Sequence, residues 1–189
     1  MTIKTAQFIK GIIGSDEILK DGRKQIAFIG RSNVGKSSVI NSLVNKKGFV
    51  RSGSMPGRTK QMDFFLINED FYFVDLPGYG YAQLSEDQRV KLKKMMLWYL
   101  FEDKNPTRKV VLIIDAEVGP KDMDLEVLDM LKLYELNVII VANKSDKIKK
   151  SEIIKRLAIL QGQFPEFNVI LYSTKTNEGR EQLWEELLL

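Results

Sequence analysis

The stretch Gly30-Arg31-Ser32-Asn33-Val34-Gly35-Lys36-Ser37 limits what this chain can fold into more than any other. It fits G-x-x-x-x-G-K-[ST], the phosphate-binding loop. It follows an apolar run, Gln25-Ile26-Ala27-Phe28-Ile29, and opens a helical pattern at Lys36. That strand–loop–helix context gives the string its meaning. Gly30 and Gly35 let the backbone turn tightly, so that the N–H groups of the loop and of Ser38 face a polyphosphate. The new helix adds the positive end of its dipole. Lys36 is placed to reach the β- and γ-phosphates, and the Ser37 hydroxyl to bind Mg²⁺. The loop implies a nucleoside triphosphate and leaves the base open.

Composition removes several chemistries. The 189 residues contain no Cys and no His. Disulfides, thiolate metal sites, histidine bases and His-ligated zinc are therefore excluded. Positioning, Lys/Arg, carboxylates and Mg²⁺ must carry any reaction. Length and a 44% hydrophobic content suit one α/β unit with a sizeable core. No apolar stretch approaches the ~20 residues of a membrane span. The start, Met1-Thr2-Ile3-Lys4-Thr5-Ala6, lacks the apolar core of a signal peptide. A cytoplasmic location follows as the expectation, with neither a membrane nor DNA as partner. The formal net charge is +4. Clusters at Lys46-Lys47, at Lys91 with Lys93-Lys94, and at Lys147 with Lys149-Lys150 suit RNA phosphates in a salt-dependent way. They equally suit a solvated surface, and no RNA-module signature accompanies them.

Apolar runs alternate with helical patterns in the rhythm of a doubly wound sheet. Strands are expected at Gln25–Ile29, Asp63–Ile67, Phe71–Asp75, Lys109–Asp115, Asn137–Ala142 and Asn168–Tyr172. The short turn Asn68-Glu69-Asp70 makes the second and third an antiparallel hairpin. The fold class is therefore α/β, a P-loop NTPase with a mostly parallel six-stranded sheet, one antiparallel strand and helices on both faces. Helices are expected at Lys36–Asn45, Ser85–Glu102, Lys121–Tyr134, Ser151–Gln161 and Asn177–Leu188. The second begins with Ser85 and Gln88 at capping-box spacing and carries Leu92, Met95, Met96, Tyr99 and Leu100 on a core stripe. In the last, Leu183, Trp184, Leu187 and Leu188 form the buried face. Residues 1–189 read as a single domain, with 1–24 an N-terminal extension of unassigned structure. Gly48–Gln61, rich in Gly and Pro, reads as a mobile loop.

Further pieces follow in order. Asp75-Leu76-Pro77-Gly78 ends a predicted strand. There Asp75 can hold Mg²⁺ from the side opposite the loop, and the Gly78 N–H can bond the γ-phosphate. Asn143-Lys144-Ser145-Asp146 follows the fifth predicted strand. The Asp146 carboxylate can accept from guanine N1–H and the 2-amino group; adenine has neither, so ATP leaves the carboxylate unpaired. The Lys144 stem can lie over the base, and Asn143 can tie the segment to the loop. Tyr172-Ser173-Thr174-Lys175 is either a turn into a helix or a backbone donor to guanine O6. A switch loop also needs a hydroxyl that binds Mg²⁺ only with the γ-phosphate in place, and Ser52, Ser54 and Thr59 all qualify by chemistry.

Taken together, G-R-S-N-V-G-K-S-S, M-P-G-R-T, D-L-P-G-Y-G-Y-A and N-K-S-D resemble the bacterial EngB (YihA/YsxC) family of small GTPases from about residue 20 onward. The resemblance implies a Ras-like G domain. It also implies a role in assembly of the large ribosomal subunit, with a contribution to growth, septation and cell division. The family's switch threonine falls on Thr59, within Gly57-Arg58-Thr59-Lys60-Gln61. Mg²⁺ ligands are then Ser37, Thr59 and Asp75, and Lys36, Thr59 and Gly78 are the catalytic candidates. Where the family often carries Thr-Lys-Ala-Asp, this chain has Asn143-Lys144-Ser145-Asp146.

Hydrolysis needs a water held in line with the γ-phosphate. Ras-like proteins use a Gln directly after the Gly of D-x-x-G, and here that residue is Tyr79. A phenol cannot orient water as an amide does, so slow intrinsic turnover and a completing partner are expected. Asn33 occupies the loop position at which related GTPases bind K⁺, a cation able to replace an arginine finger; it also suits a tight turn. Arg31 and Arg58 are candidates for phosphate neutralisation or for surface contacts. Two other readings stand beside the switch: a nucleotide-dependent binding module with negligible catalysis, and a P-loop kinase, against which Asn143–Asp146 argues.

Overall fold

The computed structural model describes residues 3–50, 61–80, 85–103 and 108–189. The order is β1 (Ala6–Ile12), β2 (Gln25–Gly30), α1 (Lys36–Leu43), β3 (Met62–Ile67), β4 (Phe71–Asp75) and α2 (Glu86–Leu97). There follow β5 (Arg108–Asp115), α3 (Asp122–Leu133), β6 (Asn137–Asn143), α4 (Ile153–Gln163), β7 (Val169–Tyr172) and α5 (Arg180–Leu188). The strands form one sheet in the order β1-β3-β4-β2-β5-β6-β7. Only β3 runs against the rest, antiparallel to both β1 and β4. The β3–β4 turn has Asn68 at φ 50° and Glu69 at φ 59°, the two positive dihedrals that match the twist of a tight hairpin.

The inner strands are apolar on both sides because helices cover both faces. On one face Val39, Ile40 and Leu43 of α1 and Leu183, Trp184 and Leu187 of α5 pack on Phe28, Phe73, Val111 and Ile139. On the other, Met95 and Met96 of α2, Leu128 and Leu131 of α3 and Leu160 of α4 pack on Ala27, Ile29, Leu112 and Ile140. The parallel strands all end at one edge. Phe28 lies opposite Asp75, Gly30 opposite Ile113, Asp115 opposite Asn143, and Asn143 opposite Tyr172. The registers therefore gather the sequence motifs at the carboxyl ends of the strands, where ligands bind in open α/β sheets.

Three expectations change. The sheet has seven strands rather than six, because part of the unassigned first 24 residues pairs with β3 from Ala6↔Ile67 to Ile12↔Met62. This edge strand buries only Ile12 fully, and its register shifts between Phe8 and Lys10, so no alternation marks it. Leu188 is exposed and leaves the buried face of α5 to the other three residues. The expected helix to Glu102 is α-helical to Leu97 and then makes a π-helical turn, Trp98–Glu102. Arg108 closes that turn. Its guanidinium donates to the Tyr99 and Asp103 carbonyls and lies 3.8 Å from the centre of the Tyr99 ring. The capping box of α2 forms as expected, Ser85 Oγ accepting from Gln88 N and Gln88 Oε1 from Ser85 N, each at 3.3 Å.

Candidate nucleotide site

The loop after β2 is shaped by its neighbours. A side chain at Gly30 would press on the Ile113 carbonyl at 2.7 Å. Gly35 has φ 99°, and a Cβ there would lie 2.3 Å from Asn143 Nδ2. That amide instead donates to the Val34 carbonyl at 2.9 Å, so the Asn143–Asp146 segment is bonded to the loop it was expected to support. Asn33 adopts φ 64°, in the left-handed region where Asn is tolerated. Lys36 opens α1 with its ammonium ion-paired to Asp75, both side chains nearly buried. Ser37 and Ser38 lie in the first turn of the same helix. Ser32 Oγ and Asn143 Oδ1 are buried without a hydrogen-bond partner among the described residues. Orphaned polar atoms at a loop of this kind fit a ligand rich in hydrogen-bonding groups.

The base end is built from three loops. Lys144 has φ 69°, and its ammonium donates to the Asn33 carbonyl at 3.1 Å and pairs with Asp115 Oδ2 at 2.8 Å. Burial pushes the Asp115 carboxyl up, but the bond from Lys144 and the N–H groups of Val118 and Glu117 outweigh it and hold the pKa below its ordinary value. Ser145 donates to Glu178 Oε2 at 2.7 Å, fixing the turn. Asp146 is bridged to the last loop. Ser173 Oγ donates to its Oδ1 at 2.9 Å, and Lys175 pairs with its Oδ2 at 2.9 Å. The bond from Lys175 is the main cause of its lowered pKa; burial opposes it, and the bond from Ser173 adds to the lowering. The carboxylate is thus ionised at neutral pH and only accepts hydrogen bonds. That chemistry matches the N1–H and 2-amino donors of guanine. Ser173 Oγ also accepts from Lys175 N and Thr176 N, each at 3.2 Å, which shapes the turn beside it.

At the phosphate end, the segment after β4 lies on the loop. The Tyr79 N–H donates to the Gly30 carbonyl at 3.3 Å, and the Ser32 N–H to the Tyr79 carbonyl at 2.8 Å. Gly78 lies so close that a Cβ would meet Ser32 Cα and N at 3.3 Å. Leu76 and Pro77 are buried and hold the turn. The Tyr79 ring packs against the core, and its hydroxyl donates to Asp124 Oδ1 at 2.6 Å. Burial raises the Tyr79 pKa, and the Asp124 charge adds to that rise.

The structure therefore brings the loop, Asp75–Gly78, Asn143–Asp146 and Ser173-Thr174 to one edge. Tyr172 differs in role: its ring is fully buried and its hydroxyl bonds Ser42 Oγ at 2.9 Å, which leaves the backbone of that residue as its only contribution here. Gln61 donates to Asp63 Oδ1 at 2.8 Å. Gly57, Arg58, Thr59 and Lys60, with Ser52 and Ser54, lie outside the described residues. Sequence reasoning missed Asp115, Asp124 and Glu178. The first ends a strand level with Asn143, a signal that was available. The other two sit within helical patterns and are made visible only by the fold.

Residues 25–144 match the family model described as 50S ribosome-binding GTPase. The chain is 41% identical to the probable GTP-binding protein EngB of Clostridium kluyveri, over 99% of this chain and 96% of that protein. It is 37% identical to that of Geobacillus kaustophilus, over 100% and 97%. A crystal structure of a probable GTP-binding protein EngB superposes with a TM-score of 0.72 at 26% identity, covering 87% of this chain and 96% of that one. Aquifex aeolicus Era bound to GDP and AlF4⁻ shares the fold, with a TM-score of 0.67 at 24% identity over 87% of this chain and 55% of its own. With the guanine-suited carboxylate, the phosphate loop and the D-x-x-G turn at one sheet edge, this chain belongs to the EngB family of GTP-binding proteins and carries their GTPase domain.

Proposed function

We propose that the protein is a slow GTPase switch that acts in the cytoplasm on assembly of the large ribosomal subunit and is needed for normal cell division. The observation that carries the switch is the pairing of Gly78-Tyr79 with Gly30–Ser32. The residue whose N–H addresses a γ-phosphate is thereby docked on the loop that holds the β-phosphate. GTP and GDP differ at the point where these two segments meet, so their relative position can report the difference. The ribosomal role is supported by the description of the family, 50S ribosome-binding GTPase.

Mg²⁺ fits this site. Among the described residues no cluster of three or more acidic or metal-ligating side chains could hold a metal alone. Ser37 in the first turn of α1 and Asp75 at the end of β4, with Thr59, would hold a hard divalent ion together with phosphate oxygens. When bound, Mg²⁺ neutralises charge on the β- and γ-phosphates. The residues of the chain do the rest. Lys36 neutralises phosphate charge after leaving Asp75, the loop N–H groups orient the polyphosphate, and Gly78 fixes its terminal group. Asp146, Lys144 and the turn at Ser173-Thr174 hold guanine. Asn33 is a candidate ligand for K⁺, and its left-handed backbone also accounts for an Asn there.

The tie between the Tyr79 hydroxyl and Asp124 favours a second reading, a binding module with negligible catalysis, because that side chain is unavailable to orient water. Single-turnover GTP hydrolysis decides between them. The switch reading expects slow phosphate release from the protein alone and acceleration by large ribosomal subunits. Failure of every ribosomal component to accelerate release would leave the binding module. Matched KCl and NaCl buffers test Asn33, and equal rates would remove the K⁺ role.

A further inference from the structure

A single carboxylate joins the two halves of the phosphate end. Asp124 lies in the first turn of α3 and is fully buried. Its Oδ2 accepts from the Lys121 N–H at 2.8 Å, an ordinary helix-start bond. That oxygen also pairs with Arg31 Nε at 2.8 Å, and Oδ1 accepts from the Tyr79 hydroxyl at 2.6 Å. Helix capping accounts for the first bond alone. The other two reach across from the phosphate loop and from the residue after D-x-x-G, which are themselves bridged by the Arg31–Tyr79 backbone pairing. Asp124 thus closes a triangle whose other corners are the two segments that meet at the γ-phosphate.

We infer that Asp124 is a positioning residue for GTP hydrolysis: through Tyr79 and Arg31 it sets where Gly78 stands relative to the phosphate loop. The inference rests on the GTPase reading above. It gives Tyr79 a task in place of the absent Gln: its phenol anchors the turn rather than handling water. It also gives Arg31 a structural partner: its Nε donates to Asp124 Oδ2 on α3 at 2.8 Å. The two bonds are charge-assisted and end on a fully buried carboxylate, so they fix geometry more firmly than neutral bonds would. Small displacements at a reacting centre are expensive in rate, about a hundredfold for 1 Å.

The test uses the full-length chain with Tyr79→Phe, which removes one oxygen and keeps the ring in the core, and Asp124→Asn, which removes the charge. Each variant is measured for kcat and for its affinity for GDP and for a non-hydrolysable GTP analogue. The expected result for Tyr79→Phe is a kcat lower by roughly tenfold and a severalfold loss of selectivity for the analogue over GDP, with GDP affinity within about twofold. Asp124→Asn should lose at least as much, because it weakens the ties to both Tyr79 and Arg31, and the double variant should lose less than the product of the two single losses, because the Tyr79 tie is shared. A merely structural role would weaken both nucleotides together and spare the kcat of the folded fraction. A folded Tyr79→Phe protein with wild-type kcat and wild-type selectivity overturns the proposal, whether or not Asp124→Asn folds. The selectivity readout needs no turnover. If the unmodified chain fails to hydrolyse GTP, the GTPase reading falls, while unchanged selectivity in the variants speaks against Asp124 alone.

Discussion

Single atoms decide what this site accepts. Gly35 leaves room for the Asn143 amide at the distance where a Cβ would collide, and its φ of 99° excludes other residues independently. Gly35→Ala should therefore weaken GDP binding by at least about a hundredfold in a fluorescent-nucleotide titration, through loss of pre-organised geometry. Asp146 decides the base. Asp146→Asn replaces one acceptor oxygen by a donor that faces a guanine donor, so it should weaken guanine nucleotides by roughly a hundredfold or more. It should improve xanthine nucleotides, whose ring carries a carbonyl where guanine has its amino group. Competition against labelled GDP reads both effects, and unchanged guanine preference would remove Asp146 from the base site. These residues were legible in the sequence because they are local strings whose chemistry needs particular atoms. Asp124 was not legible: a helical Asp three residues after a Lys looks like any solvated surface, and only folding shows it dry.

At the scale of elements, loops joined by ion-paired carboxylates make the base pocket sensitive to acid. Asp115 and Asp146 have folded-state pKa values below their ordinary 3.8. Such groups contribute stability that is fully present above the ordinary value and is lost as pH falls through the lowered one. Chemical denaturation across pH 2–6 should show stability falling below about pH 3.8, and Asp115→Asn should flatten that fall. Asp115→Asn should also weaken GTP at neutral pH, since Lys144 loses the partner that holds it over Asn33. The edge strand supplies a second prediction. Ile12 is its one fully buried side chain, so Ile12→Ala should cost about 2–4 kcal/mol in urea melts. The inner strands and most helices could be read from the sequence because their burial repeats with a fixed period. The edge strand could not, since half-exposed residues and a shifted register erase that period. The π-helical turn at Trp98 escaped for another reason: it depends on Arg108, a residue beyond the helix.

Across the whole molecule, the sheet works as a frame that holds separate chain segments at one edge. Strand ends set phosphate loop, D-x-x-G and base loop within reach of each other, so a change at the γ-phosphate passes to segments far apart in sequence. Under the proposed ribosomal role, the net charge of +4 predicts that association with ribosomal subunits weakens steadily with added salt. In such a switch the bound nucleotide sets which surface the protein presents. Sedimentation with large ribosomal subunits, in GDP and in a non-hydrolysable GTP analogue at one salt concentration, tests it most directly. The protein should pellet with subunits preferentially in the analogue. Equal pelleting in both nucleotides, or none in either, would contradict it.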